Sequence, residues 1–284
     1  MSDIGQDLLK HLTLERLEEN LYRGESRDIG GPNLFGGQVL GQALFAASQT
    51  AEGRDAHSLH AYFLRPGDKT APVVYEVERI RDGRSYATRR IVAIQRGKPI
   101  FNMSASFQRR EEGIEHQFAM PEVPGPEGLP NMMELARQTL AETPEKLSRF
   151  LSWQWPIEFR PIQPIHPLHP EPRPPFRETW IRANAVLPDD PAVHKVLLAY
   201  ASDFSLLGTA FLPHALTFSL GTIRAASLDH AMWFHRDFRM DDWLLYSMDS
   251  PSTSCGRGLS RGNLFSRDGK LVASVAQEGM IRKI

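Results

Sequence analysis

The feature that most restricts what this chain can fold into is an internal duplication. Phe63 and Arg65 recur as Phe234 and Arg236, Tyr75 as Tyr246, and Arg90 as Arg261, all at an offset close to 171 residues. Leu59-His60-Ala61 is echoed by Asp229-His230-Ala231 with a one-residue slip. Gly97-Lys98 and Ile100-Phe101 return as Gly269-Lys270 and Leu271-Val272 with a small insertion. Any single match is weak, but their common order and nearly constant spacing imply two copies of about 100 residues each.

Each copy reads as one helix followed by antiparallel strands, an α+β unit. In the first, Gly30–Thr50 (GGPNLFGGQVLGQALFAASQT) predicts a helix from about Gly37 to Ser48, with the small residues Ala43, Ala46 and Ala47 on the side where a sheet can close. Its glycines lack the spacing of either phosphate-binding pattern, so close packing and turns account for them better. From Leu59 the period changes to two. LHAYFLRP, PVVYEVERI, SYATRRIVAIQR and PIFNMSASFQ are strand-like runs separated by Pro66-Gly67, Asp82-Gly83 and Arg96-Gly97. In the second copy WIRANAVLP predicts a strand and Pro191–Asp203 a helix. LDHAMWFHRDF, DWLLYSMDS, GRGLSRGNLFSR and LVASVAQEGMI follow as further strand-like runs. Two such units can join into one continuous antiparallel sheet carrying both helices. The early segment HLTLERLEENLYRG is ambiguous between helix and strand.

Between the copies the composition shifts, with 13 of the 21 prolines lying from Pro121 to Pro175. The expected division is therefore a first repeat over 1–110, a Pro-rich linker over 111–175 with one helical island at Asn131–Phe150, and a second repeat over 176–284. The composition, 41% hydrophobic and 24% charged, is that of a water-soluble globular protein, and a net charge of −1 gives no reason to expect a nucleic-acid partner. Met1–Lys10 is polar and does not read as a signal peptide, and no apolar run approaches the roughly 20 residues that span a bilayer, so no membrane insertion is expected. Cys255 is alone, which leaves no disulfide framework and favours a reducing, cytoplasmic location.

Several motifs invite a chemistry and fail its context. GLSRG (Gly258–Gly262) fits the nucleophile-elbow pattern, but that motif needs a strand-to-helix turn and a later histidine, and no histidine follows His235. Cys255 has no histidine beside it. His166 and His169 stand in an HxxH among prolines with no acidic or Cys partner nearby, and read as loop histidines rather than metal ligands.

Asp203 is different. Val193, Val196, Leu197 and Tyr200 form an apolar stripe at helical spacing, and Asp203 falls on that stripe if the helix continues. There a carboxylate loses solvation and faces the negative end of the helix dipole, so either a terminal turn swings it into water or it serves as a base in a dry site. Ser227 stands at the opening of the SLDHAMWF run. Gln277 shares one face of the last run with Ala273 and Val275, where either a fraying strand end or a polar role explains it. Both can donate and accept hydrogen bonds, and with a carboxylate they could hold and activate a water. At the repeat offset Ser227 maps near Ala56 and Gln277 near Ser106, so the first repeat reads as scaffold without that chemistry.

The strings NLFGGQVLGQAL, HSLHAYFLRPGD, DGRSYATRRIVAIQRGKPIF, LPDDPAVHKVLLAYASD, SLDHAMWFHR and GKLVASVAQEG resemble the acyl-CoA thioesterase II family along nearly the whole chain. The resemblance implies a double hotdog fold, in which each copy is a long helix wrapped by an antiparallel sheet. It also implies hydrolysis of fatty acyl-CoA without metal or redox cofactor, a catalytic set of Asp203, Ser227 and Gln277, and a homo-oligomer, dimer or tetramer. The family's hydroxyl residue at this position is Thr or Ser, and Ser227 keeps the hydroxyl. Two rivals share the fold: a non-hydrolytic acyl-CoA-binding or sensing protein, and an enoyl-CoA hydratase. The hydratase would need a histidine five residues after Asp203, where Gly208 stands, which leaves only His214 nearby in sequence.

Overall fold

The computed structural model describes residues 4–139 and 155–284. Among them the chain runs α1 (Ile4–Leu12), β1 (Glu15–Glu18), β2 (Leu21–Gly24), α2 (Gly36–Ser48), β3 (Asp55–Phe63), β4 (Val73–Asp82), β5 (Tyr86–Gln95), β6 (Lys98–Gln108) and α3 (Met132–Thr139). It continues with β7 (Ile157–Pro161), β8 (Phe176–Ala183), α4 (Pro191–Ser202), the single turn α5 (Leu206–Thr209), β9 (Ile223–Ser227), β10 (Asp229–Phe234), β11 (Leu244–Ser254), β12 (Arg257–Ser266) and β13 (Leu271–Lys283).

The strands form one antiparallel sheet in the order β1-β2-β4-β5-β6-β3-β10-β13-β12-β11-β8-β7, with β9 paired to the far end of β13. Outward from the central β3/β10 seam, the first repeat places β6, β5, β4, β2 and β1, and the second places β13, β12, β11, β8 and β7. The duplication expected from the sequence is therefore matched strand for strand along this order, with β9 standing outside it. At the seam His230 lies opposite Ala61 and Met232 opposite Leu59. Even side-chain pairs repeat: the cross-strand Arg90–Glu78 ion pair of β5 and β4 has its counterpart in Arg261–Asp249 of β12 and β11. Buried Tyr75 and Tyr246 each donate a hydroxyl proton to a core helix, to Gln42 Oε1 at 2.7 Å and to the Ser202 carbonyl at 2.9 Å.

Helices α2 and α4 pack against each other within the curve of the sheet and are buried almost all round. That burial explains their lack of a charged face, and each fully buried leucine such as Leu40, Leu44 or Leu198 stabilises the core by about 1.5–3 kcal/mol. Their close approach depends on missing side chains: a Cβ on Gly37 would stand 2.3 Å from the Tyr200 carbonyl oxygen. Pro191–His214 is long and apolar enough to cross a membrane by length and composition, but most of it is buried in this core. Ser205, at φ 67°, also breaks it after α4.

Three details depart from expectation. The ambiguous N-terminal segment contains both a helix end and the short strands β1 and β2. Part of the Pro-rich stretch is not linker, because Ile157–Pro161 forms the edge strand β7 against β8. Pro161 fits there because an edge position tolerates a missing N–H. Residues after β6 also strap the second repeat: Trp180 Nε1 donates to the Pro124 carbonyl, and Met120, Val123 and Leu129 cover Trp180, Leu245 and Phe265. The helical island begins as α3, and its expected continuation over 140–150 lies outside the described residues.

Candidate active site

Asp203 follows α4 directly and caps its C-terminus with helical dihedrals, φ −78° and ψ −14°. It is half-buried rather than enclosed, because the chain turns away at Ser205 into α5. Its carboxylate accepts three hydrogen bonds: from the Gly37 backbone N–H to Oδ2 at 2.9 Å, and from Gln277 Nε2 at 2.6 Å and Ser227 Oγ at 3.3 Å to Oδ1. Gln277 Nε2 also lies 2.9 Å from Ser227 Oγ. The three residues singled out from the sequence therefore meet at one point, although 74 residues separate Asp203 from Gln277.

The electrostatic anomaly of Asp203 is resolved by the other repeat. A carboxylate at the C-terminus of α4 meets the negative end of that helix, but the N-terminus of α2 faces it with the opposite sign. Helix α2 has no capping side chain of its own, since Phe35 occupies the N-cap position, and Asp203 satisfies one of its unpaired first-turn N–H groups from outside. By contrast, α4 caps itself, with Asp190 Oδ1 accepting from Ala192 N at 2.9 Å and Pro191 in the first turn. A Cβ on Gly36 would stand 2.8 Å from Asp203 Oδ2, so this glycine is needed for the carboxylate to reach the helix end. The first repeat is thus not pure scaffold, since it supplies a backbone donor to the site.

Ser227 ends β9 instead of opening the next strand, and Leu228 separates it from β10. Its register opposite Gly279 on β13 sets it two residues along from Gln277. Gln277 is fully buried, on the inward face with Ala273 and Val275 as the alternation predicts. Its two amide N–H protons face three acceptors, one directed at Asp203 and the other shared by Ser227 and His230, whereas among the described residues nothing donates to its buried Oε1. Directly across from it on β12 is Ser260, also fully buried, with a hydroxyl that has no partner among the described residues.

His230 belongs to the site and entered the sequence reading only as a marker of the repeat. Its Nδ1 lies 3.2 Å from Gln277 Nε2 and its Nε2 lies 2.9 Å from Ser202 Oγ. Burial lowers its pKa to about 4, against the pull of the Asp203 charge, so the ring is neutral at pH 7. The signal was the alternation of β10, which sets His230 on one face with the core residues Met232 and Phe234.

The rejected motifs lie elsewhere. GLSRG is in the middle of β12, without a strand-to-helix turn. Cys255 is exposed in the β11–β12 hairpin turn. His214 is exposed and hydrogen-bonds Thr253, and His166 Nδ1 accepts from the backbone of Leu168 and His169 in its own loop.

Known proteins share this architecture. Residues 24–108 match the family model of the acyl-CoA thioesterase N-terminal domain, and residues 152–280 match that of acyl-CoA thioesterase. Acyl-CoA thioesterase 2 of Haemophilus influenzae is 40% identical over 283 residues, covering 99% of this chain and 99% of that protein. Acyl-coenzyme A thioesterase 8 of Homo sapiens is 42% identical over 280 residues, covering 95% of this chain and 87% of that one. The crystal structure of an acyl-CoA thioesterase II from Mycobacterium marinum aligns with a TM-score of 0.79 at 43% identity, covering 97% of this chain and 98% of that one. A hot dog fold protein from Alicyclobacillus acidocaldarius aligns over the full length of both chains with the same TM-score at 20% identity, a likeness of fold alone.

Proposed function

The chain belongs to the acyl-CoA thioesterase II family, and on that premise we propose that it hydrolyses fatty acyl-CoA thioesters with a water activated by Asp203 and held by Ser227 and Gln277. The observation that carries this reading is the convergence of the Gln277 amide and the Ser227 hydroxyl on the carboxylate oxygen Asp203 Oδ1, at 2.6 and 3.3 Å. Asp203 takes a proton from the water, and the water oxygen attacks the thioester carbonyl. The tetrahedral intermediate then collapses, the carbon–sulfur bond breaks, and the thiol of CoA leaves with a proton while the acyl group departs as a carboxylic acid.

The hydrogen-bond inventory divides the roles. The Gln277 N–H groups are already engaged and its Oε1 is not, which suits the amide to accept from the water rather than to donate to the developing oxyanion. Donors for the oxyanion are better sought at the start of α2, where backbone N–H groups and the helix dipole converge beside Asp203. Assembly as a homo-oligomer is part of the same proposal and is read by sedimentation.

The test is steady-state release of thiol from a C8–C16 acyl-CoA series by the wild type and by Asp203→Ala, Ser227→Ala and Gln277→Ala. Each substitution is expected to lower turnover by an amount equivalent to about 2–4 kcal/mol of barrier. Unchanged turnover in Asp203→Ala overturns the mechanism. Binding of palmitoyl-CoA by the wild type without thiol release would return the chain to a binding role.

A further inference from the structure

We infer that His230 is a positioning residue that fixes the Gln277 amide with its nitrogen on Asp203, through hydrogen bonds anchored on Ser202. The inference rests on the reading of Gln277 as a group that holds the attacking water.

The place of every proton in this arrangement follows from the one before it. Asp203 Oδ1 can only accept, and it lies 2.6 Å from one end of the Gln277 amide, so that end is the nitrogen. The nitrogen's second proton lies between Ser227 Oγ at 2.9 Å and His230 Nδ1 at 3.2 Å, and a nitrogen with only protons to offer requires Nδ1 to face it with a lone pair. A neutral imidazole with a bare Nδ1 carries its proton on Nε2. That proton points at Ser202 Oγ, 2.9 Å away. Ser202 can accept it because its own hydroxyl proton goes to the Ala199 carbonyl at 2.9 Å, inside α4. The chain of donors therefore runs from Gln277 through His230 and Ser202 to the backbone of the helix.

Ser202 immediately precedes Asp203, so the relay closes into a ring: carboxylate, amide, imidazole, hydroxyl, and one peptide unit back to the carboxylate. A Gln277 amide turned the other way would set its oxygen against both the carboxylate and the Nδ1 lone pair. Two acceptors placed on one side thus hold the amide in a single orientation and leave Oε1 on the other side. Both His230 and Ser202 are buried with 0% exposure, so no solvent competes for these bonds.

The first measurement needs no variant. With ring-15N histidine in the full-length protein, long-range 1H–15N spectra at pH 7.5 are expected to show one histidine, identified by its loss in His230→Asn, as the Nε2–H tautomer. An Nδ1–H tautomer overturns the inference. The second is a paired substitution read with decanoyl-CoA. Asn at 230 places a carbonyl oxygen where Nδ1 was and keeps the acceptor for Gln277, whereas Gln reaches Ser202 and offers no acceptor at that point. His230→Asn is expected to keep kcat within about threefold, and His230→Gln to lose about 10- to 100-fold in kcat with KM nearly unchanged. Equal losses in both, or in neither, reduce His230 to packing and overturn the inference. Gln277→Ala run alongside separates the two readings: if it retains full activity, the role given to Gln277 fails first, and if it alone is impaired, only the role of His230 fails.

Discussion

The backbone N–H of Gly37 and the carboxylate of Asp203 are 2.9 Å apart in space and 166 residues apart in sequence. One belongs to the first residue pair of the first repeat's helix, and the other closes the helix of the second. Their contact makes the site a property of the duplication rather than of either copy. It also supplies the favourable partner that a carboxylate at a helix C-terminus otherwise lacks.

Gly37→Ala tests this junction. The added methyl would stand 2.3 Å from the Tyr200 carbonyl oxygen, which is backbone and cannot rotate away. The two helices must separate, at an expected cost of about 1–3 kcal/mol in urea unfolding. Turnover should fall by more than the loss of folded protein explains, because the N–H moves off Asp203. A variant with wild-type stability and rate would show that the helices are not in close contact here.

Asp203→Ala should carry a stability signature besides its catalytic one. Asp203 caps α2 from outside, and losing such a cap costs about 0.5–2 kcal/mol. Asp190→Ala, which removes the cap of α4, is expected to cost a similar amount and leave turnover nearly intact. Comparing the two by denaturant midpoint and initial rate separates capping from chemistry.

Stability should decline on the acid side in a way traceable to His230. Burial holds its pKa at about 4, whereas in the unfolded chain it is near 6.5. Between these values the unfolded state binds a proton that the folded state refuses, so stability is complete above about pH 6.5 and falls as the pH drops toward 4, by up to roughly 3 kcal/mol. His11, His57, His194 and His235 are held down by burial too and act in the same direction. His230→Asn should flatten the urea midpoint against pH between 7.5 and 5. A curve parallel to the wild type would mean that the ring is charged or solvated in the folded protein.

Ser260→Ala is expected to be neutral or slightly stabilising. The hydroxyl is buried and bonds no group among the described residues, so its removal relieves a desolvation cost without breaking a contact. Thermal melting checks this. A loss above about 1 kcal/mol would reveal that the hydroxyl is engaged with Gln277 across the strand pair.

Much of this was legible in the sequence because duplication and alternation are both periodic. The recurrence of Tyr75 as Tyr246 and Arg90 as Arg261 marked equivalent strands, and the alternation of β13 set Gln277 inward. Periodicity gives the face of a residue but not its neighbour from a distant strand. His230 therefore read as a repeat marker, although it touches Gln277, and Ser227 read as a strand opening when it is a strand end. Gly37 was legible as a close-packing residue, but its N–H reaches Asp203 only through the docking of one repeat on the other. The edge strand β7 was hidden by the prolines around it, which a local reading takes as a break.

The self-capped start of α4 has a consequence for stoichiometry. Two fused copies with opposed helices could have held two equivalent reaction centres, one at each helix junction. At the second junction Asp190 already occupies the α4 N-terminus, and the residue at the end of α2 is Gln49, not a carboxylate. A tight-binding substrate analogue should therefore saturate this protein at one molecule per chain, and a titration that ran to two would mean that the silent junction still accepts a ligand.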